Sequence, residues 1–310
     1  MSRGSRRAGV LVAKIVLLAV VLAVCTPLFS VLVGVPAAGE IDAEALAAEG
    51  GRTLALLFLV GLAEAAVMTY LILRARQTGW ALAATVFVAF FGLNTLINQL
   101  ESLVYLGLPP DTVTRLIGAG ALVAAVFAVA AVALLGKWQA RLVAAPRLPG
   151  LRRSAWGWVW RLAAVAGIYV ALYFCFGYFV AWARPEVRAF YGGAEAASLV
   201  AQVAAVWDST PWMFAFQAFR GLLWAVLALP VIGVHPGGRW EVCLATAMLF
   251  SVWSLQLLLP NPYMPEAVAR IHLMELAGSN LVFGALTGAI LARSGPRPQA
   301  LAVPSRGFPW

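Results

Sequence analysis

Eight apolar stretches divide this chain, and they constrain its fold more than any other feature. They cover residues 13–36, 53–73, 80–106, 114–136, 156–182, 212–233, 240–260 and 269–292. A helix that crosses the hydrocarbon core of a bilayer needs roughly 20 predominantly apolar residues. Hydrophobic residues fill 63% of the 310 positions and mean hydropathy is +0.89. A soluble domain is about 45–50% apolar, so one soluble core could not hide this much apolar surface. A membrane β-barrel would show alternating segments of ~10 residues, and none is present. The expected fold is an all-α integral membrane protein with eight transmembrane helices. The first stretch lies between the basic "MSRGSRR" and "VPAAG", as a secretory signal would. It exceeds the usual ~7–15 residue apolar region of such signals and is read as a span.

Lysine and arginine set the expected orientation. Sixteen of the 22 lie on the side of both termini, chiefly in 3–14, 74–76, 137–161 and 293–306. Five lie on the other side, namely Arg52, Arg115, Arg184, Arg188 and Arg270, while Arg220 sits inside a span. The positive-inside rule then predicts a multi-pass protein of the cell membrane with both termini cytoplasmic. The net charge of +9 reflects this bias and attraction to anionic lipid. No basic stretch is interleaved with aromatics on a soluble module, so the expected partner is the bilayer and not nucleic acid. Cys25, Cys175 and Cys243 all fall within spans and read as small packing residues.

The two halves resemble each other. "PDTVTRLIGAGALVAAVFAVAAVAL" begins at Pro110 and "PEAVARIHLMELAGSNLVFGALTGA" at Pro265, an offset of 155. Both open Pro-acid-x-Val-x-Arg. Proline suits a first helical turn, the acid complements the positive helix end, and Arg115 and Arg270 can snorkel to the outer surface. Earlier the offset is 160, pairing Trp80 with Trp240 and Gly61 with Gly221. Residues 1–153 and 154–310 are thus read as two four-helix repeats. An even number of spans gives both repeats the same orientation, related by an axis along the membrane normal. The segments "GEIDAEALAAEGG" and "GGAEAASLVAQ" are read as corresponding acidic loops.

The polar residues inside these spans gather near one depth. On the last span, at about 100° per residue, Glu275 lies about 60° from His272, Asn280 about 80° to the other side, and Arg270 about 160° away. The first repeat has Ile117, Gly120, Ala124 and Ala125 at the places of His272, Glu275, Ser279 and Asn280. The helical scaffold therefore does not demand these polar groups. Asn94, Asn98, Glu101 and Tyr105 share one face of the third span, and Gln217, Arg220 and Trp224 share a face of the sixth. Glu64 occupies the place of Trp224 in the Gly61–Gly221 register. Asn94 and Ser279 read as interhelical glue. Ionised groups cost roughly 2.5–3.5 kcal/mol at a helix centre, so Glu64, Arg220 and Glu275 each need a partner or a wet cavity.

Several chemistries are excluded. His235 and His272 are expected on opposite faces and cannot jointly ligate a haem or zinc ion. HExxH, CxxC and a phosphate-binding glycine loop are all missing, and no cofactor or structural metal is implied. Ser279 is seven residues from His272, ~10 Å of helix rise, so they are not a nucleophile and its base. The leading reading is translocation or binding of a small solute or ion through a polar site in the outer half of the bundle. Its expected residues are Glu64, Asn98, Glu101, Gln217, Arg220, His272, Glu275 and Asn280, gathered in one cavity. Carboxylates outnumber the single arginine there, which favours a cation. The alternatives are an intramembrane enzyme acting on a lipid-linked substrate, with Glu275 or His272 as general base, and a non-catalytic assembly factor.

Overall fold

The computed structural model describes residues 3–35, 43–139, 154–261 and 263–292. Among the described residues all regular structure is helical. The ten helices are α1 (Arg3–Val33), α2 (Ala43–Arg74), α3 (Gly79–Tyr105), α4 (Pro110–Leu134), α5 (Ala155–Trp182), α6 (Pro185–Tyr191), α7 (Leu199–Ser209), α8 (Trp212–Val234), α9 (Arg239–Leu258) and α10 (Glu266–Leu291). All but α6 and α7 are long and apolar enough to cross a membrane, and these eight carry the eight expected spans. The first acidic segment differs from expectation, because α2 already begins at Ala43. The second also differs. Helix α7 begins at Leu199 within the segment read as a loop, capped by the Ser198 hydroxyl, and the short α6, with Pro185 in its first turn, ends just before that segment. The short α6 ends at Gly192, whose φ of 69° is the left-handed geometry that favours glycine.

Packing follows small residues and aromatics. α1 lies against α2 and α4, and α5 lies against α8 and α10. α3 packs on α4, and α9 on α10. Between the two sets, α3 meets α8 and α9 meets α2. The closest approach is α9 on α10. There Gly284 and Gly288 sit against the backbone of Thr246, Ala247 and Cys243, with no room for a Cβ. Such small-residue seams let helices gain dispersion where apolar burial from water is not a driving force. Phe90 of α3 packs tilted against Phe127 of α4, ring centres 4.7 Å apart, and Phe250 of α9 against Phe283 of α10 at 5.4 Å. Trp253 joins the two sets edge-on against Phe90 at 5.1 Å. Large apolar side chains point outward in number, among them Val12, Val31, Leu32, Val159 and Phe179. An outward apolar belt around a buried polar interior suits lipid and not water.

Three of these helices leave regular α geometry. α3 contains a π-helical turn at Phe91–Leu96, α5 ends in one at Gly177–Trp182, and α9 ends in a 3₁₀ turn at Trp253–Leu258. π turns are uncommon and frequent at functional sites, whereas a 3₁₀ turn is an ordinary way to end a helix. Each one here lies beside a polar group described next. Arg115 is exposed at the head of α4 and donates to the carbonyls of Val33 and Gly34 at 3.2 and 2.9 Å, closing the end of α1.

Candidate functional site

Among the described residues, hydrogen bonds and ion pairs sort seven of the eight expected site residues into three groups. The first lies where α3 meets α8. Arg220 is ion-paired with Glu101 and donates to Gln217 Oε1 at 2.7 Å. Gln217 Nε2 donates to the Tyr105 hydroxyl, which donates in turn to that of Tyr173 at 3.3 Å. The guanidinium lies 5.4 Å from the centre of the Tyr169 ring, a cation–π contact strengthened by desolvation. The Arg220 side chain is 4% exposed and that of Glu101 25%, so the carboxylate is the wetter end of the pair. Positive and negative charge cancel within this group.

The second group lies where α2 meets the 3₁₀ turn of α9. Glu64 is 4% exposed. Its Oε1 accepts from Gln256 Nε2 at 3.3 Å, and the same nitrogen donates to Asn94 Oδ1. Asn98 Nδ2 donates to Gln256 Oε1 at 3.1 Å and to the Asn94 carbonyl at 2.7 Å. Among the described residues no lysine, arginine or histidine pairs with Glu64. A cavity of about 50 Å³ opens beside it, walled by Leu22, Thr26, Val60, Phe90, Asn94 and Gln256 among others.

The third group lies at the head of α10. His272 Nδ1 and Glu275 Oε2 are 2.6 Å apart, and the Tyr191 hydroxyl is 3.2 Å from His272 Nε2. With the proton on Nδ1, the imidazole donates to Glu275 and accepts from Tyr191. Glu275 also faces Gly177 at the start of the π turn of α5. Burial first, then the Glu275 and Glu101 carboxylates, hold the Tyr191 phenol above its ordinary value. Tyr191 therefore stays a proton donor and is not poised as a phenolate nucleophile.

Among the described residues no hydrogen bond or ion pair joins His272–Glu275 to Arg220–Glu101. The two groups are nonetheless neighbours: α5 packs on both α8 and α10, and Glu101 and Glu275 both act on Tyr191. The Tyr169 ring of α5 lies between Arg220 and Phe283 of α10, 4.9 Å from the latter. Helical angle fixes the direction of a side chain but not which neighbour it meets. The stripe on α3 divides in the same way, since Asn94 and Asn98 meet α9 while Glu101 and Tyr105 meet α8. Asn280 is buried but joins none of the three groups. Ser279, expected to bridge helices, bonds back to Leu276 of its own helix at 3.4 Å. Arg270 lies away from the interior, paired with Glu266, which Arg52 also reaches at 2.9 Å.

Gln256, Tyr173 and Tyr191 escape the sequence reading. Gln256 is the one polar residue within "LQLLL", a signal that could have marked it. The tyrosines look like core aromatics. Among the described residues, no three His, Cys, Asp or Glu side chains come together as a metal-binding set. No protein-family model matches this chain, and neither a curated protein nor a solved structure matches it.

Proposed function

We propose that this protein binds and translocates a small cation, a proton included, across a bilayer, with Glu64 at the site that carries it. The single observation behind this reading is a buried carboxyl with an amide partner, no base and a cavity at its side. An unpaired buried carboxylate is costly, so a structure that keeps one has reason to neutralise it with something that comes and goes. Arg220 is already committed to Glu101, and the remaining interior charge is negative. The cavity, about 50 Å³, is far below the ~300–1,000 Å³ of pockets that take organic ligands.

The same reading places eight spans in the cell membrane with both termini cytoplasmic, as the lysine and arginine bias suggests. It also takes residues 1–153 and 154–310 as parallel repeats. Support comes from matching partners: α1 with α2 and α4 against α5 with α8 and α10, and α3 with α8 against α9 with α2. Phe90 and Phe250 are 160 apart, and Phe127 and Phe283 fall within one residue of the later offset of 155. Glu64 then lies at the contact between repeats, where translocators of this architecture keep their sites.

The test is flux in proteoliposomes carrying the full chain, read with internal pH- and Na⁺-sensitive dyes under an imposed gradient. Wild type should dissipate the gradient, and Glu64→Gln should not, at equal reconstitution. Equal flux in protein-free vesicles and wild type would refute the reading. The Tyr191–His272–Glu275 chain favours a second reading, a general base acting on a lipid-linked substrate. Turnover of extracted lipid that His272→Gln abolishes and Glu64→Gln leaves intact would select it.

A further inference from the structure

The Glu64 cavity has the donor set of a particular class of ion. Two oxygens from different helices, Glu64 Oε1 of α2 and Asn94 Oδ1 of α3, converge on one point, and Gln256 Nε2 now stands there. That amide nitrogen carries partial positive charge between two acceptors. A turn of the Gln256 amide replaces it with Oε1 at the cost of the bond from Asn98 Nδ2, which keeps the Asn94 carbonyl as acceptor, and leaves three oxygens facing one space. Thr26 lies on the cavity wall and adds a hydroxyl oxygen nearby. The irregular turns at Phe91–Leu96 and Trp253–Leu258 are what bring Asn94 and Gln256 to the same place.

We propose that this cavity binds one monovalent metal cation stripped of most of its water, held by oxygens of Glu64, Asn94 and Gln256. The inference rests on the translocation reading and narrows its substrate from any small cation to an alkali ion. Charge argues for it, because a single carboxylate neutralises one positive charge. Calcium takes 6–8 oxygens, commonly several of them carboxylate, and magnesium holds its own waters in an octahedron. Ligand type argues the same way, since all-oxygen donors suit hard cations and offer nothing to zinc or copper. So does size. A water needs roughly 10–15 Å³ of cavity space, so the cavity of about 50 Å³ holds only a few waters, too few for an ion with its full hydration shell. The walls contributed by Leu22, Leu57, Val60, Phe90 and Val123 are apolar, which leaves the polar side to do all the coordination.

The experiment is equilibrium binding of ²²Na⁺ to the full chain in detergent, with unlabelled Na⁺, Li⁺, K⁺ and choline as competitors. The expected result is saturable binding of one ion per chain, displaced by alkali ions and not by choline. Glu64→Gln should abolish it. Gln256→Leu should weaken it roughly tenfold or more, the usual scale for losing a group that shapes a metal site. Thermal unfolding of each variant checks that it is folded, and Arg270→Ala serves as a control that should bind as wild type does. Absence of saturable binding for Na⁺, with Li⁺ and K⁺ equally without protection of the fold, would overturn the inference. So would undiminished binding by folded Glu64→Gln. If proton flux still depends on Glu64 while no alkali ion binds, this inference fails and the translocation reading stands. If neither proton nor alkali flux occurs, both fail.

Discussion

The two contacts between the helix sets, α3 on α8 and α2 on α9, are built alike and filled differently. In the proposed register Glu64 of α2 takes the place of Trp224 of α8. Trp224 is buried against Phe250, ring centres 4.7 Å apart. Glu64 is equally buried but faces a cavity. The α3–α8 contact holds the only buried arginine among the described residues, and its charge is spent on Glu101. The α2–α9 contact holds a carboxyl with no such partner. Since one scaffold accepts an indole where the other carries a carboxyl, packing does not require Glu64. The first contact reads as a clamp and the second as a place for a ligand. A third position makes the same point. In the same proposed register the counterpart of Glu275 is Gly120, where an added Cβ would collide with the side chain of Thr95.

The largest effect that would break this comparison is at the clamp. Removing one partner of a buried ion pair typically costs about 3–5 kcal/mol. Arg220→Ala should therefore lower stability, measured by thermal or denaturant unfolding in detergent, far more than Glu64→Gln. Adding Glu101→Gln to Arg220→Ala should recover part of the loss. If Arg220→Ala were as mild as Glu64→Gln, the two contacts would not differ in the way described.

A smaller effect sharpens the same contrast. A Cβ added to Gly221 would lie 2.6 Å from Tyr169 Cβ, which can move only with the backbone of α5. At Gly61 it would meet Ala19 O and Leu22 Cβ at 3.3 Å, a contact that small shifts relieve. Gly221→Ala should cost about 1–3 kcal/mol, as overpacking does, and Gly61→Ala clearly less. Equal costs in unfolding experiments would argue that the α1–α2 seam behind Glu64 is as tight as the α5–α8 seam behind Trp224.

Below these lies a pH effect where the helix ends meet. Burial lowers the pKa of His235 below its ordinary 6.5, Glu241 opposes this, and Arg74 adds to it. Arg74 and Tyr70 both contact Glu241, which ties the end of α2 to the start of α9. A base with a depressed native pKa holds its proton more weakly folded than unfolded. Its contribution is constant above pH 6.5 and stability is lost as pH falls below that value. His235→Gln should flatten this part of a Tm–pH curve, and an unchanged curve would remove His235 from the account. The smallest effect belongs to Arg270→Ala, whose pair with Glu266 is exposed on both sides. Unfolding of this variant should match wild type within error, because such pairs are screened and contribute little.

Most of the helical framework was legible in the sequence, because a run of apolar residues long enough to cross a bilayer has few other uses. The short α6 and α7 were not, although Pro185, Gly192 and Ser198 supply start and stop signals. Both are too short to cross a bilayer, so no apolar run of span length announces them. For the site, residue type and depth were readable but partnership was not. Glu101 and Glu64 looked equally available to Arg220, and only the packing of α3 on α8 and of α9 on α2 assigns one and spares the other. Gln256 shows why. It lies in a run of leucines, and its importance comes from a 3₁₀ turn that no local pattern announces.

The most direct test of the contrast between clamp and ligand site is cation protection of the fold. Unfolding temperature is measured for wild type, Glu64→Gln and Glu275→Gln in NaCl and in choline chloride at equal ionic strength. A ligand that binds only the native state stabilises it by RT ln(1 + [L]/Kd), about 2.7 kcal/mol at a hundredfold excess over Kd. The account predicts a sodium-dependent rise in wild type and in Glu275→Gln that vanishes in Glu64→Gln. A rise that survives in Glu64→Gln, or that disappears only in Glu275→Gln, would contradict it.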